Sequence, residues 1–517
     1  MKKTITCLFF VFSMLITSCT SPKSVVKAVP EPEYWPTSGW QSSTPEAQGM
    51  DSELLAEMIE EINTSETGLH SVLVIRNGYL VTETYFHPYT QDTKMHIQSV
   101  TKSVIGMLVG KAVSDGNIQS AEDRLVDYYP NRVFENQSRQ KSSIQLKHLL
   151  SMSSGLDCQE FRDRSGPRME GTQGWVQFML DRPMAAAPGK VFGYCNGNAH
   201  LLSSILEKTT GMTAREYANR ELFEPLGIPT VSEADWGGDP QKTTLAGYGL
   251  HLRPVDMAKL AFLYLHNGKW DGIQIISAQW VADSTTQHIQ KEDGSGYGYL
   301  WTVYPDSGHY AALGLGGQQI HVYPAENLIV VVTASLEAYA EAPEIENMLD
   351  KHILPALQSD SLLAEKPAKH TRLAEAIEAA THPVQPVPLL PATALDISGS
   401  LYTFGENPMG WQTLEFTFEE GADTAQLQLS DFPTLEIGLD NIYRLSTGET
   451  IGELLLRGQW INKQTFLVDY PYPAVGAPAL GELGQTEFRF TFSGDNLEVA
   501  VEQITFGAEP IILKGTR

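Results

Sequence analysis

The hydrophobic pattern of this chain changes at one proline-rich stretch, and the change divides the chain into two parts with different folds. Residues 383–391 contain four prolines in nine positions, a density that neither a helix nor an inner strand tolerates. Beyond them, apolar and polar residues alternate in runs such as 413–418 and 488–492, and this period of two is typical of antiparallel strands. The sequence therefore predicts an all-β barrel or sandwich after the prolines.

Helix and strand signals are mixed in the part of the chain before the prolines. Residues 71–76 and 79–86 have the composition of two strands, and the Asn77-Gly78 pair between them favours a hairpin turn. A helix is predicted from Ser99 to the Asp115-Gly116 pair, with apolar residues nearly all round it, as in a helix buried in a core. This part is therefore predicted to be an α+β domain.

The first residues carry an export signal. Lys2 and Lys3 precede an apolar run, residues 5–16, which is too short to span a membrane as a stable helix and is typical of a signal peptide. The segment ending at Cys19, Ile-Thr-Ser-Cys, resembles a bacterial lipobox. It implies a lipid on Cys19 that anchors the protein to a membrane of the cell envelope, on the periplasmic side and in the outer membrane; the alternative is an ordinary signal peptide with an incidental cysteine.

The predicted units are a signal peptide (1–18), a tether (19–45), the α+β domain (46–360), a charged helix with a proline-rich linker (361–392) and the β domain (393–517).

Composition argues against a nucleic-acid partner. The chain has a formal net charge of −26, which repels nucleic acid and anionic lipid head groups, while 42% hydrophobic residues suffice for large cores.

Apart from Cys7 and Cys19, the cysteines are Cys158 and Cys195. An oxidising compartment permits a disulfide between these two, and two independent buried thiols are an equal alternative, because pairing cannot be read from sequence.

Ser99 and Lys102 pair a nucleophilic hydroxyl with an amine one helical turn later. Positions i and i+3 share a helix face, so the amine can reach the hydroxyl. Burial disfavours the charged form of a lysine, which lets such a lysine act as a base, and the helix N-terminus favours negative charge developing beside it. The Ser138-to-Lys141 segment has the same spacing, but its polar neighbours favour a solvated loop.

A second candidate motif is Tyr194-Cys195-Asn196, which follows Pro188-Gly189 and precedes an apolar helix. A tyrosine near the lysine can move a proton between nucleophile and leaving group, and the asparagine amide offers a donor and an acceptor to a substrate. Tyr217-Ala218-Asn219 repeats the pattern inside a helix-like segment, where Tyr217 is expected to pack instead.

These motifs, with the serine-rich segment 149–156 and the segments 247–260 and 296–301, resemble the class C β-lactamase-like serine hydrolases over roughly residues 46–357. The resemblance implies an antiparallel sheet flanked by helices, with a helical subdomain. It also implies an acyl-enzyme mechanism in which Ser99 is the nucleophile and Lys102 and Tyr194 handle its proton. The β domain resembles the lipocalin-like appendages of some hydrolases of this family, which implies a scaffold or partial lid, with sugar or lipid binding as the alternative.

The third element of the family is a triplet on the strand that lines the cleft, and its best match is the segment Leu315-Gly316-Gly317-Gln318. The resemblance implies that the backbone N–H groups of Gln318 and Ser99 form an oxyanion hole. It also implies that Gly316 and Gly317 let substrate approach closely. Leu315 replaces the usual basic residue, which weakens the case for a substrate with a carboxylate.

Other chemistries have little support in the sequence. It contains no His-Glu-x-x-His motif, no Cys-x-x-Cys pair and no phosphate-binding glycine loop, so no metal or nucleotide cofactor is implied. His309 and Tyr310 are candidates for the substrate cleft. We predict a serine hydrolase acting on a small-molecule or peptide ester or amide. The alternatives are a D-alanyl-D-alanine carboxypeptidase or β-lactamase and, from another class, a cell-envelope binding protein with a degenerate site.

Overall fold

The structure, a computed structural model, describes residues 29–65, 68–158, 168–336, 343–430, 432–448, 452–470, 486–503 and 509–517. Its helices are α1 (Ser52–Thr64), α2 (Val100–Ser114), α3 (Arg139–Ser142), α4 (Leu146–Leu150), α5 (Trp175–Asp181), α6 (Asn196–Thr210), α7 (Ala214–Ala218), α8 (Pro254–Leu265), α9 (Ala278–Ser284), α10 (Pro343–Met348), α11 (Leu354–Ala356), α12 (Pro367–Thr381) and α13 (Ala392–Ile397). The strands before the proline-rich stretch are β1 (Leu69–Arg76), β2 (Tyr79–Tyr85), β3 (Met95–His96), β4 (His251–Leu252), β5 (Lys269–Trp270), β6 (Ile273–Gln274), β7 (Ile289–Gln290), β8 (Gly296–Tyr297), β9 (Thr302–Tyr304), β10 (His309–Gly314), β11 (Gln318–Tyr323) and β12 (Leu328–Ala334). The strands after it are β13 (Leu401–Phe404), β14 (Thr413–Thr417), β15 (Thr424–Leu429), β16 (Leu435–Gly438), β17 (Arg444–Gly448), β18 (Gly452–Trp460), β19 (Thr465–Tyr470), β20 (Thr486–Ser493), β21 (Asn496–Gln503) and β22 (Ile511–Thr516).

An eight-stranded antiparallel sheet forms the centre of the first domain, in the order β2-β1-β12-β11-β10-β9-β8-β7. The hairpin predicted at its edge is confirmed, because Asn77 and Gly78 have φ values of 53° and 86°, the left-handed values that a type I′ turn needs. Every residue of β1 is buried. Apolar clusters lie on both faces of the sheet, which confirms the α+β class.

The helix predicted to begin at Ser99 is α2, and Ser99 is its N-cap residue. Residues 100–110 are all buried, as expected of a helix that is apolar nearly all round. Close packing explains its glycines. A Cβ on Gly110 would lie 2.3 Å from the ring of Trp280, and Nε1 of Trp280 donates a hydrogen bond of 3.1 Å to the carbonyl of Gly106. The helix that carries the Ser-x-x-Lys motif is therefore held rigidly in the core.

The charged helix that was predicted as part of a linker packs on the first domain instead. Leu373 and Ala376 of α12 lie in the apolar cluster that this helix shares with α1. Arg372 donates hydrogen bonds of 2.9 and 2.7 Å to the carboxylate of Glu60 on α1. The sequence did not reveal this packing because only three apolar residues of α12 are buried, among many charged ones. Since α12 belongs to the first domain, the linker is shorter than the predicted residues 361–392.

Part of the predicted tether also packs on the first domain. Within residues 29–45, the ring centroid of Trp35 lies 5.4 Å from that of Trp270, and Nε1 of Trp40 donates a hydrogen bond of 3.0 Å to the carbonyl of Val255. This stretch is therefore not a free tether, because its tryptophans find apolar partners on α8 and β5. Residues 1–28, with the predicted signal peptide and Cys19, lie outside the described residues. In the ranges that are described, no helix is both long and apolar enough to cross a membrane.

The predicted β domain is a closed barrel. Nine strands form the ring in the order β16-β15-β14-β13-β22-β21-β20-β19-β18, and the ring closes where Gly438 of β16 pairs with Arg457 of β18. β17 lies outside the ring and pairs with β18. The period-two alternation places large side chains inside, where Phe416 packs edge-to-face on Phe466 and Phe490.

Side chains fill the interior of this barrel. Trp411, Phe432 and Leu454 are among the residues that line a cavity of about 30 Å³, which has room for only a few water molecules. A sugar or lipid needs far more room. The described part of the barrel therefore favours a scaffold over a ligand-binding domain.

We expect the fold to lose stability as the pH falls below about 6.5. Burial lowers the pKa of His70 and of His321 to about 3, and burial together with the neighbouring His251 lowers that of His96 to about 3. Between these values and the ordinary histidine pKa, the unfolded chain binds more protons than the folded chain, so the free energy of unfolding decreases with falling pH. Urea midpoints at pH 7.5 and pH 5.0 measure this effect; an equal or higher midpoint at pH 5.0 would contradict it.

Candidate active site

A tight turn presents the Ser99 hydroxyl at the start of α2. Gln98 has a φ of 48°, a left-handed value that is uncommon for a residue with a side chain. The turn is closed by hydrogen bonds from Val100 N to Ile97 O (3.1 Å) and from Thr101 N to Gln98 O (3.1 Å). Such strain persists only where the surroundings fix it, and it is common at functional sites.

The amine of Lys102 lies where the sequence predicts it, beside the Ser99 hydroxyl. Nζ donates a hydrogen bond of 2.9 Å to Oγ of Ser99 and one of 2.5 Å to the carbonyl oxygen of Gly247. It also lies 4.7 Å from the ring centroid of Tyr194. Lys102 is only 1% exposed. The structure thus brings together the three residues predicted to be catalytic.

Tyr194 reaches this position on a loop with two anchors. Gly193 N donates a hydrogen bond of 2.8 Å to the carbonyl of Met152, in the serine-rich segment. On the other side of the tyrosine, Cys195 forms a disulfide with Cys158, which settles the alternative that the sequence left open. The loop then enters α6, whose first residue is Asn196.

Gly247 is a site residue whose role the sequence analysis missed. Its carbonyl holds the amine of Lys102, and a Cβ at this position would lie 2.8 Å from both Cβ and Oδ1 of Asn196. Only glycine therefore allows the Asn196 side chain to approach Gly247 so closely. Residues 247–260 were noted as a family-like segment, but a single glycine among 43 in the chain gives no signal of such a contact.

The segment Leu315-Gly316-Gly317-Gln318 is a hairpin turn and not, as predicted, a stretch of strand. Residues 315–317 connect β10 to β11, with φ values of 74° for Gly316 and 89° for Gly317, and only Gln318 belongs to a strand. The turn nevertheless lies beside the nucleophile, because a Cβ on Gly314 would lie 2.7 Å from the carbonyl of Ile97. Leu315 at its tip is 42% exposed.

The Gln318 side chain is buried behind this turn. Its Nε2 donates to the carbonyl oxygen of Ala334 on β12, and Leu336 N donates a hydrogen bond of 3.0 Å to the carbonyl of Gly316. These bonds join the turn to the end of the neighbouring strand. The oxyanion role of the Gln318 N–H stays a prediction.

His309 and Tyr310 do not lie where they were expected. His309 is at the far end of β10 from Gly314, five residues or about 16 Å along the strand. Its ring stacks on those of Tyr304 and Tyr323 at 4.0 and 4.6 Å, and burial lowers its pKa to about 4. Tyr310 is buried in the core against Trp301. The expectation failed because an extended strand separates its two ends by about 3.3 Å per residue, so residues a few positions before a motif can lie at the opposite edge of the sheet.

The two decoy motifs have structural roles. Ser138 caps α3 by accepting a hydrogen bond of 3.0 Å from the backbone N of Lys141, whose Nζ donates to the carbonyls of Glu135 (2.6 Å) and Leu180 (2.8 Å). The segment is therefore the start of a short helix and not the loop that was predicted: Ser138, Arg139 and Gln140 are exposed, as expected, but Lys141 is only 2% exposed. Tyr217 is fully buried, and its hydroxyl donates a hydrogen bond of 2.7 Å to Asp115.

Comparison with known proteins identifies the family of the first domain. The family described as Beta-lactamase matches residues 56–354, which is more than half of the chain. The chain belongs to this beta-lactamase family. The family contains serine hydrolases, and the structure has its fold of mixed helix and sheet, here followed by the closed barrel.

Members of the beta-lactamase family with different activities are similar to this chain. The 6-aminohexanoate-dimer hydrolase of Paenarthrobacter ureafaciens is 23% identical over 310 residues, covering 53% of this chain and 74% of the relative. The Beta-lactamase of Escherichia coli K12 is 26% identical over 245 residues, covering 43% of this chain and 61% of the relative. The solved structure of EstCE1, a hydrolase with promiscuous acyltransferase activity, shares the fold with a TM-score of 0.50 at 17% identity, over 60% of this chain and 99% of that chain.

We expect the disulfide beside Tyr194 to stabilise the beta-lactamase-like domain. The Cys158–Cys195 bond spans 37 residues, and cross-links of this span typically contribute about 2–4 kcal/mol to the free energy of unfolding. The double variant Cys158→Ser/Cys195→Ser should lower the urea midpoint, and dithiothreitol should lower that of the wild type but not that of the variant. Free thiols at both positions in the untreated folded protein would contradict the pairing.

Proposed function

We propose that this protein is a serine hydrolase that forms an acyl-enzyme on Ser99 and acts on an ester or amide. The observation that carries the proposal is the hydrogen bond of 2.9 Å from Lys102 Nζ to Ser99 Oγ. The Ser138-to-Lys141 segment has the same spacing but does not form this contact, because Lys141 donates to two backbone carbonyls instead. The same spacing thus supplies a nucleophile and its base at one place and a helix cap at the other.

In the proposed acylation step, Ser99 Oγ attacks the substrate carbonyl carbon. The hydroxyl proton passes to Lys102 in its neutral form, and a bond forms between Oγ and carbon. The bond from that carbon to the leaving oxygen or nitrogen then breaks, and the leaving group takes a proton through Tyr194, whose ring lies beside the amine. The carbonyl of Gly247 holds Nζ in position, so the base does not depend on substrate for its placement.

Two further parts complete the proposed cycle. The backbone N–H of Ser99, at the N-terminus of α2, and that of Gln318 stabilise the negative charge on the carbonyl oxygen, and loss of one such donor typically costs on the order of a hundredfold in rate. Water then attacks the acyl-enzyme, its proton goes to the same base, and Ser99 regains its own. Asn196 offers its amide to the substrate from the start of α6.

The proposed substrate has no carboxylate at the position that the turn would contact. Leu315 occupies the tip of the β10–β11 turn and is 42% exposed, and it offers a substrate an apolar contact in place of a charge. This favours neutral esters and amides over penicillins or peptides that end in D-alanine.

We expect a fluorophosphonate probe to label Ser99 and no other serine. The intact mass of the wild type should rise by one adduct, that of Ser99→Ala should not change, and ester hydrolysis should fall by several orders of magnitude in this variant. Ser138→Ala is the matched control: it should lose only a helix cap, about 1 kcal/mol of stability, and keep full labelling. Intact-mass spectrometry and an ester assay measure both outcomes.

The same experiment separates the alternatives. A stable adduct with penicillin, formed faster than hydrolysis of neutral esters, would favour a D-alanyl-D-alanine carboxypeptidase or β-lactamase. Labelling of Ser99→Ala as fast as the wild type would overturn the assignment of the nucleophile. A folded wild type that takes no adduct would favour a binding protein with a degenerate site.

We further propose that the protein is a lipoprotein, anchored through Cys19 to the outer membrane on its periplasmic side. The lipobox-like segment before Cys19 supports this proposal. Radiolabelled palmitate should incorporate into the wild type and not into Cys19→Ser, measured by autoradiography after gel electrophoresis. Equal incorporation into both, or none into the wild type, would leave an ordinary signal peptide as the better interpretation.

A further inference from the structure

The barrel packs on the first domain through residues of β18 and of the segment that leads into β17. Leu455 on β18 is 6% exposed and packs in an apolar cluster with Tyr89 and Met95 of the first domain. Tyr443 and Leu445, at the start of β17, are packed against the same cluster. We call these five residues the docking cluster. Because side chains alternate along β18, its neighbours Leu454 and Leu456 lie in the barrel interior.

A polar contact fixes the orientation of the docking cluster. Nε2 of His87 lies 3.1 Å from the carbonyl oxygen of Tyr443, and a carbonyl can only accept, so Nε2 carries the proton. On the barrel side, the hydroxyl of Tyr443 donates a hydrogen bond of 2.6 Å to Asp469, and the Arg457 guanidinium lies 4.5 Å from its ring centroid. The contact is thus built from ordered side chains on both domains.

One residue of the docking cluster, Met95, lies four residues before the nucleophile Ser99 in the chain. Met95 is fully buried and belongs to β3, which pairs with β4 through His96 and His251. Nε2 of His96 accepts a hydrogen bond of 3.0 Å from the backbone N of Gly249. Two residues before Gly249, the carbonyl of Gly247 accepts a hydrogen bond from the amine of Lys102. Strand β3 therefore contacts the loop that holds Lys102, and the chain runs from β3 directly into the Ser99 turn.

We infer that the barrel is a positioning domain for the active site. By filling the space over Met95, Leu455 fixes β3, and β3 fixes both the Ser99 turn and the loop that holds Lys102. The barrel acts through these elements and not by contact with the substrate. This inference rests on the proposed function, because it assigns the barrel a part in activating the same serine.

The matched pair Leu455→Ala and Leu456→Ala tests this inference in the complete protein. Both variants remove the same atoms from the same strand, one from the docking cluster and one from the barrel interior. We expect Leu455→Ala to slow fluorophosphonate labelling of Ser99 about tenfold or more and to lower kcat with little change in KM. Leu456→Ala should lower the melting temperature of the barrel and leave the labelling rate within twofold of the wild type. Leu455→Met should restore most of the rate, because it refills the space over Met95.

Amide hydrogen exchange supplies a readout that does not need activity. In Leu455→Ala, exchange should become faster over residues 95–102 and 247–250, whereas in Leu456→Ala the faster exchange should stay within the barrel. If the wild type is labelled, and Leu455→Ala shows the same labelling rate and the same amide exchange as the wild type, the positioning role is overturned and the proposed function stays intact. A wild type that takes no probe would overturn the proposed function, and the exchange pattern would then decide the positioning role alone.

Discussion

The candidate site depends on one buried amine held between two oxygens. Lys102 Nζ donates to the Ser99 hydroxyl and to the Gly247 carbonyl, and these oxygens come from the start of α2 and from the loop that precedes β4. A buried polar group must be satisfied where it lies, so the position of this amine constrains α2, the Gly247 loop and the Tyr194 loop together. The site is therefore a property of the core and not of a surface cleft alone.

Much of this arrangement could be predicted from local pattern. The Asn77-Gly78 hairpin, the start of α2 at Ser99 and the alternating strands of the barrel each follow from residues that are neighbours in sequence. The reach from Lys102 to Ser99 is also local, since it follows from helical spacing alone. These features were accessible because the contacts that create them are short in sequence.

The rest depends on contacts between distant segments. Gly247 has a role in the site because the Asn196 side chain packs closely against it. The Leu315–Gly317 turn lies near the nucleophile because Gly314 packs against the carbonyl of Ile97. Helix α12 belongs to the first domain because its few apolar residues pack on α1. The buried Lys141 shows the same limit: its sequence neighbours are polar and predict a solvated side chain, yet its amine is buried and donates to the nearby carbonyl of Glu135 and to that of Leu180, 39 residues away. No periodicity or composition carries this information.

The Cys158–Cys195 bond gives the site an order of assembly. Backbone hydrogen bonds hold both sides of Tyr194 as soon as the chain folds, from Gly193 N to the carbonyl of Met152 and from Asn198 N to the carbonyl of Cys195. The covalent link to Cys158 is added only when two thiols are oxidised. Disulfides form and persist in oxidising compartments and rarely in the cytosol. A chain that folds in a reducing environment therefore lacks the covalent link between the Tyr194 loop and Cys158, and this constraint arrives as a separate, later chemical event.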